Sequence, residues 1–242
     1  MQTVERQAVV ETRGLTKRFG ATLALDALDL TVAAGEVVCL LGANGAGKST
    51  TLNLLLGFLR PDGGEALVAG AVPGTPAARR AIGYVPETVA LYPKLSGLEN
   101  LAFFHELGGT GEATRDRLLG ALRSVGLDAD AADRRAETYS KGMRQKVGLA
   151  AAMMKGASAL LLDEPLSGLD PEAANGFQEL VRGAARSGAG VLMATHDIFR
   201  AKEVANRIGI MRGGRLIETL AAADVGHSDL EALYLKHMRM AA

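Results

Sequence analysis

Short uninterrupted apolar runs recur along the chain, each closed by a glycine, a proline or a charge. They span residues 37–41, 82–85, 159–162, 191–194 and 208–211. Runs this short, several of them rich in Val or Ile, fit strands covered on both faces. Between them lie stretches with helical spacing, at residues 49–59, 112–125, 142–154 and 172–186. The alternation predicts an α/β fold, a mostly parallel sheet with helices on both sides.

Two regions depart from this pattern. Residues 8–35 read as short strands with turns, apolar and polar residues partly alternating over 23–32, which predicts a small antiparallel sheet ahead of the first core strand. Residues 88–155 carry no convincing strand run and read as a helical insert between two core strands, leaving about 36–87 and 156–220 as the core. Residues 228–240 predict a C-terminal amphipathic helix with Leu230, Leu233, Tyr234 and His237 on one side, packing back on its own domain. The whole chain, 1–242, reads as one domain.

Composition narrows the class. Hydrophobic residues make up 48% of 242, enough for a sizeable core, but only 4% are aromatic and none is Trp. Lys+Arg and Asp+Glu are both 27, so there is no broad electrostatic footprint for nucleic acid. The single cysteine, Cys39, excludes an intrachain disulfide and reads as a buried small hydrophobe. No apolar stretch reaches membrane-span length and the charged start lacks a signal-peptide core. The expectation is a cytoplasmic protein that meets a membrane only through a partner.

The strongest chemical signal is Gly42-Ala43-Asn44-Gly45-Ala46-Gly47-Lys48-Ser49, which matches G-x-x-x-x-G-K-[ST] after one apolar run and before a predicted helix. Glycines let the backbone curl so that successive N–H groups face phosphate oxygens. The helix N-terminus adds partial positive charge. Lys48 can reach the β- and γ-phosphates, and the Ser49 hydroxyl can ligate Mg²⁺. A guanine-reading Asn-Lys-x-Asp is absent from the sequence.

Asp163 and Glu164 close the run 159–162, and Pro165 stops the strand. Asp163 can hold Mg²⁺ and Glu164 can polarise the attacking water; adjacent residues of an extended chain point to opposite sides. The run 191–194 leads into Thr195-His196-Asp197. Parallel strands deliver their C-terminal ends to one sheet edge, which puts His196 beside the phosphates as a donor to the γ-phosphate. His105, His227 and His237 read as surface or packing residues, and no metal-ligand spacing connects the four histidines.

With these motifs in this order, the chain resembles the ATP-binding-cassette family over roughly residues 8–220. Gly42 to Thr50 resembles its Walker A loop. Residues 160–164 resemble Walker B with its glutamate, and Ser167-Gly168-Leu169-Asp170 resembles the D-loop. Tyr139-Ser140-Lys141-Gly142-Met143 stands where the signature, usually Leu-Ser-Gly-Gly-Gln, is expected. The resemblance implies a P-loop NTPase (RecA-like) core and the cofactors ATP and Mg²⁺. Its implied catalytic residues are Lys48, Glu164 and His196, with Phe19 stacked on adenine. It also implies a dimer, of two copies or of paired ATPase subunits, in which Ser140, Lys141 and Gly142 face the partner's ATP. Ser140 is then a helix cap and Gly142 permits close approach.

Three residues depart from the family pattern. Lys141 and Met143 replace a glycine and the glutamine of the signature, and Glu87, in Tyr84-Val85-Pro86-Glu87, stands where the family has a metal-sensing glutamine. Glu87 can still offer Mg²⁺ an oxygen, with a full charge. These variants resemble ATPases paired with ABC-2-type membrane subunits, which implies export through a separate integral-membrane permease that holds this chain on the cytoplasmic face of the cell membrane. The permease is expected to dock near residues 88–104, whose apolar members Leu91, Tyr92, Leu95, Leu98, Leu101 and Phe103 fit insert core equally well. Two other functions stay open: an ATP-driven switch on an envelope protein without solute movement, and a soluble ATPase acting on nucleic acid or the ribosome. The long coiled coil or second cassette that the latter implies is missing from the sequence, and no nucleic-acid partner is expected.

Overall fold

The computed structural model describes residues 7–108 and 113–239. Two antiparallel strands come first, β1 (Ala8–Phe19) and β2 (Thr22–Ala33). There follow β3 (Val37–Leu41), α1 (Lys48–Leu55), β4 (Gly63–Val68), α2 (Pro76–Ala81) and β5 (Ile82–Val85). Helices α3 (Gly97–Leu107), α4 (Arg115–Ser124), α5 (Ala129–Asp133) and α6 (Lys141–Met154) come next. The chain then returns through β6 (Ala159–Asp163), α7 (Pro171–Arg186), β7 (Gly190–Thr195), α8 (Ile198–Val204), β8 (Arg207–Arg212), β9 (Arg215–Ala221) and α9 (His227–Arg239).

All five apolar runs are strands of one six-stranded sheet, ordered β5-β6-β7-β3-β8-β9. Every neighbouring pair is parallel except β8 with the edge strand β9. The runs are uninterrupted because the sheet is covered on both faces. Val37, Cys39 and Leu41 join the core beneath the helices, whereas Val38 and Leu40 join the core between this sheet and the N-terminal sheet. Leu160 and Leu162 alternate with Ala159 and Leu161 in the same way.

The structure corrects several boundaries. The N-terminal strands are 12 residues each, not short. Residues 63–68, assigned from the sequence to the core, form β4 and complete the antiparallel sheet in the order β2-β1-β4. Their Gly-Gly-Glu opening hides the strand signal. Helix α1 stops at Leu55 rather than 59, because Gly57 turns left-handed (φ 75°) and any side chain there would strike the backbone of Gly74. Residue 112 of the predicted helix 112–125 and residue 240 of the predicted helix 228–240 lie outside the described residues.

Between β5 and β6 the described chain is helical, and its capping explains where each helix starts. Ser96 and Glu99 form a capping box on α3, while Thr114, Asp128 and Ser140 cap α4, α5 and α6. Leu98 and Leu101 are buried, Leu91, Leu95 and Phe103 are partly covered, and Tyr92 is exposed. Helix α9 turns Leu230, Leu233 and Tyr234 onto the core, and His237 pairs with Glu218 at 3.3 Å. Leu149 of α6 is fully buried, so Leu149→Ala is expected to cost about 2–5 kcal/mol. Chemical denaturation of the purified chain checks this through the shift in its midpoint.

Candidate functional site

The parallel strands bring four C-terminal ends to one edge. β3 feeds the glycine loop, β5 feeds Glu87, β6 ends at Asp163 and β7 leads to His196. The loop needs its glycines. A Cβ on Gly42 would lie 2.6 Å from the Met211 carbonyl oxygen, and Gly45 and Gly47 take φ of 82° and 106°. Gly47 occupies the N-cap of α1, so no side chain satisfies the first N–H groups and no acid lies in the first turn. That end is open to an anion. Lys48 is buried and folds back over the loop, donating to the carbonyls of Gly42 (2.7 Å) and Ala43 (3.2 Å). Lys48 lines the same cleft as the glycine loop.

The two adjacent acids have separate partners, for a reason other than strand alternation. β6 ends at Asp163, and Glu164 turns into the left-handed region at φ 46°, its N–H donating to the Ala194 carbonyl at 2.9 Å. For a residue with a Cβ this conformation costs about 1–2 kcal/mol. It aims Glu164 Oε1 at His196 Nδ1 (2.9 Å) and at Lys48 Nζ (3.8 Å). A carboxylate only accepts, so in this contact Glu164 calls for the His196 tautomer that carries its proton on Nδ1. His196 is thus bonded to Glu164, and the ring itself is more than half exposed.

Asp163 Oδ1 lies 3.4 Å from Ser49 Oγ. Burial lifts the Asp163 carboxyl above its usual range, and the neighbouring Glu164 and Glu87 charges add to the lift against the Ser49 hydrogen bond and the Lys48 charge. A bound cation would reverse that balance. Hard oxygens in this pair suit Mg²⁺, and among the described residues no group of three His, Cys, Asp or Glu can hold a metal. A cation here would draw its remaining ligands from water and phosphate, as Mg²⁺ usually does.

Phe19, at the end of β1, is half exposed and lines one cleft of about 430 Å³ together with Asn44, Gly45, Ala46, Gly47, Lys48, Ser49, Thr50, Asp163, Glu164 and Glu87. Gly42 and His196 adjoin this cleft through the bonds above. Glu87, expected as a metal ligand, has its Oε1 engaged elsewhere, 3.3 Å from Ser167 Oγ and 3.9 Å from Lys141 Nζ.

Ser140, Lys141, Gly142 and Asp170 do not line the cleft. Ser140 caps α6, its Oγ accepting from the Met143 N–H at 3.2 Å, and Asp170 caps α7 through the Ala173 N–H at 2.9 Å. Within the chain, a Cβ on Gly142 would make only an ordinary contact with that of Ala173, at 3.4 Å. Tyr139, ahead of the cap, is buried and its hydroxyl donates to the Ala131 carbonyl at 2.6 Å, anchoring the loop. One residue escaped the sequence reading. Gln145 is fully buried on α6, and its Nε2 donates to the carbonyls of Pro86 (3.1 Å) and Glu87 (2.8 Å). The available signal was an amide on the apolar face of α6, between Gly142 and Leu149.

Known proteins resemble this chain in sequence and fold. A family model described as ABC transporter matches residues 25–167. The daunorubicin/doxorubicin resistance ATP-binding protein DrrA of Streptomyces peucetius is 41% identical over 213 residues, covering 86% of this chain and 64% of that protein. The Nod factor export ATP-binding protein I of Cupriavidus pinatubonensis is 36% identical, covering 87% and 65%. The spermidine/putrescine import ATP-binding protein PotA of Pseudomonas aeruginosa is 37% identical, covering 91% and 61%. The match thus spans less than two thirds of each of these relatives. A solved structure described as the ATP-binding subunit of an ABC transporter superposes with a TM-score of 0.82 at 31% identity, covering 94% of this chain and 98% of that one.

Proposed function

The chain belongs to the ABC transporter family, and on that premise we propose that it binds and hydrolyses ATP to drive a separate membrane permease. The observation that carries this reading is the single cleft in which the glycine loop, the Ser49–Asp163 pair and the Glu164–His196 pair meet. Phe19 offers its exposed ring to adenine. The loop N–H groups and the α1 N-terminus bind the phosphates, and Lys48 exchanges the Gly42 and Ala43 carbonyls for the β- and γ-phosphate oxygens. Ser49 and Asp163 would hold Mg²⁺, which would supply charge screening of the triphosphate. Glu164 orients a water on the γ-phosphorus and takes its proton as the bond to ADP breaks; His196 holds Glu164 in place and faces the γ-phosphate.

In this reading the site is completed by a second copy. Ser140 and the α6 N-terminus lie outside the chain's own cleft, which suits them to the γ-phosphate of a partner's ATP. One chain carries both halves, so a homodimer suffices. The Asp170 loop then runs along the dimer seam.

The permease dock is a second groove of about 380 Å³ that includes Tyr84, Val89, Phe104 and Ala151, between β5 and the helical insert. Among the described residues no helix is long and apolar enough to cross a membrane, in keeping with a membrane subunit on another chain. The Tyr84-Val85-Pro86-Glu87 and Tyr139-to-Gln145 segments resemble ABC-2-type ATPases, which favours export from the cytoplasmic face; an import relative of comparable identity makes those segments the deciding feature. Phe104→Glu places a charge in the groove. It is expected to abolish co-purification of the permease from a mild detergent extract while nucleotide affinity of the isolated chain stays unchanged. Full recovery of the permease with this variant would move the dock elsewhere.

A further inference from the structure

Two of the three departures from the family pattern, Glu87 and Lys141, carry opposite charges and meet in space. Lys141 Nζ lies 3.9 Å from Glu87 Oε1, and the same oxygen is 3.3 Å from Ser167 Oγ. Lys141 is the first residue of α6, next to the Ser140 cap. Its ammonium reaches over the turn at Gly168, where an added Cβ would sit 3.6 Å from Nζ. Glu87 is tied to the same helix a second time, because Gln145 donates to its carbonyl at 2.8 Å and to that of Pro86. The backbone of Glu87 is therefore fixed to α6, while its half-exposed carboxylate lines the phosphate cleft.

That position gives the carboxylate two competing uses. Turned to α6, Oε1 partly offsets the Lys141 charge at the helix end offered to the partner's ATP. Turned into its own cleft, the carboxylate adds an oxygen near Ser49 and Asp163 and leaves the Lys141 ammonium without this partner. We propose that Lys141 is a positioning residue that competes with the chain's own nucleotide site for Glu87, so that loading one chain's cleft unmasks the ammonium it presents to the partner. The family's usual glutamine and glycine carry neither charge, so this coupling belongs to the Glu87–Lys141 combination. The partner half of the statement rests on the dimeric reading above; the competition for Glu87 does not.

The test is a double-mutant cycle on the full chain, with Glu87→Gln, Lys141→Gln and both together, read as the dissociation constant for ADP with and without Mg²⁺. Sedimentation at the working concentration identifies the conditions in which the chain is monomeric, and the cycle there isolates the Glu87–Lys141 term. Lys141→Gln is expected to tighten Mg²⁺-dependent ADP binding about two- to five-fold, the range of a partly exposed ion pair, by freeing Glu87. The gain should vanish without Mg²⁺ and in the Glu87→Gln background, and Lys141→Arg should behave as wild type. Unchanged or weaker ADP binding in Lys141→Gln would overturn the proposal, as would an equal gain in the Glu87→Gln background. Because this readout needs no dimer, it can fail while dimerisation succeeds, or succeed while dimerisation fails.

Discussion

Glu164→Gln is expected to lower steady-state ATP hydrolysis by roughly 10²- to 10⁴-fold, the usual worth of a general base. The substitution keeps the size of the side chain and an oxygen for His196, now 2.9 Å away, but removes the basic carboxylate. Nucleotide binding is expected to persist, because the phosphate-binding groups proposed above are the loop, Lys48 and Ser49. The backbone at residue 164 sits at φ 46° in either case, so the fold should be spared. Phosphate release and ATP affinity, measured on the same preparation, separate the two effects. Hydrolysis within a few-fold of wild type would remove Glu164 from the proton-accepting role.

The second large effect is on binding. Lys48→Ala is expected to weaken ATP by about ten- to a hundred-fold, since a charge-assisted hydrogen bond contributes about 1.5–3 kcal/mol. Lys48 is buried, and its present acceptors are the Gly42 and Ala43 carbonyls of the loop. Removing it takes away the phosphate's point charge and also an internal clasp of the loop. Titration with a fluorescent ATP analogue gives the change in affinity, and thermal melting without nucleotide reports any loss of loop stability. The two variants fail differently: Glu164→Gln binds without turning over, and Lys48→Ala scarcely binds.

Much of this was legible in the sequence, because the fold writes its core strands as uninterrupted apolar runs. Every one of the five became a strand of the main sheet, since both of its faces are covered. The phosphate loop was legible because its backbone demands glycine at fixed positions. The strand β4 was not, because its glycines and Glu65 give it the look of a loop and its partner β1 lies far away in sequence. Nor was the turn at Glu164, where alternation along an extended chain predicted the right separation of the acids for a different reason. Gln145 and the Glu87–Lys141–Ser167 contact depend on α6 packing against the segment after β5, a tertiary event without a local pattern.

The central claim is that the cleft around residues 42–50 is half of a site, completed by Ser140 of a second copy. Sedimentation velocity of the Glu164→Gln chain tests it most directly. With saturating ATP and Mg²⁺ the chain should sediment at twice its mass, and with ADP as a monomer. Adding Ser140→Arg should restore the monomer while each chain still binds nucleotide. A chain that stays monomeric at saturating ATP, or a dimer indifferent to Ser140→Arg, would contradict the account.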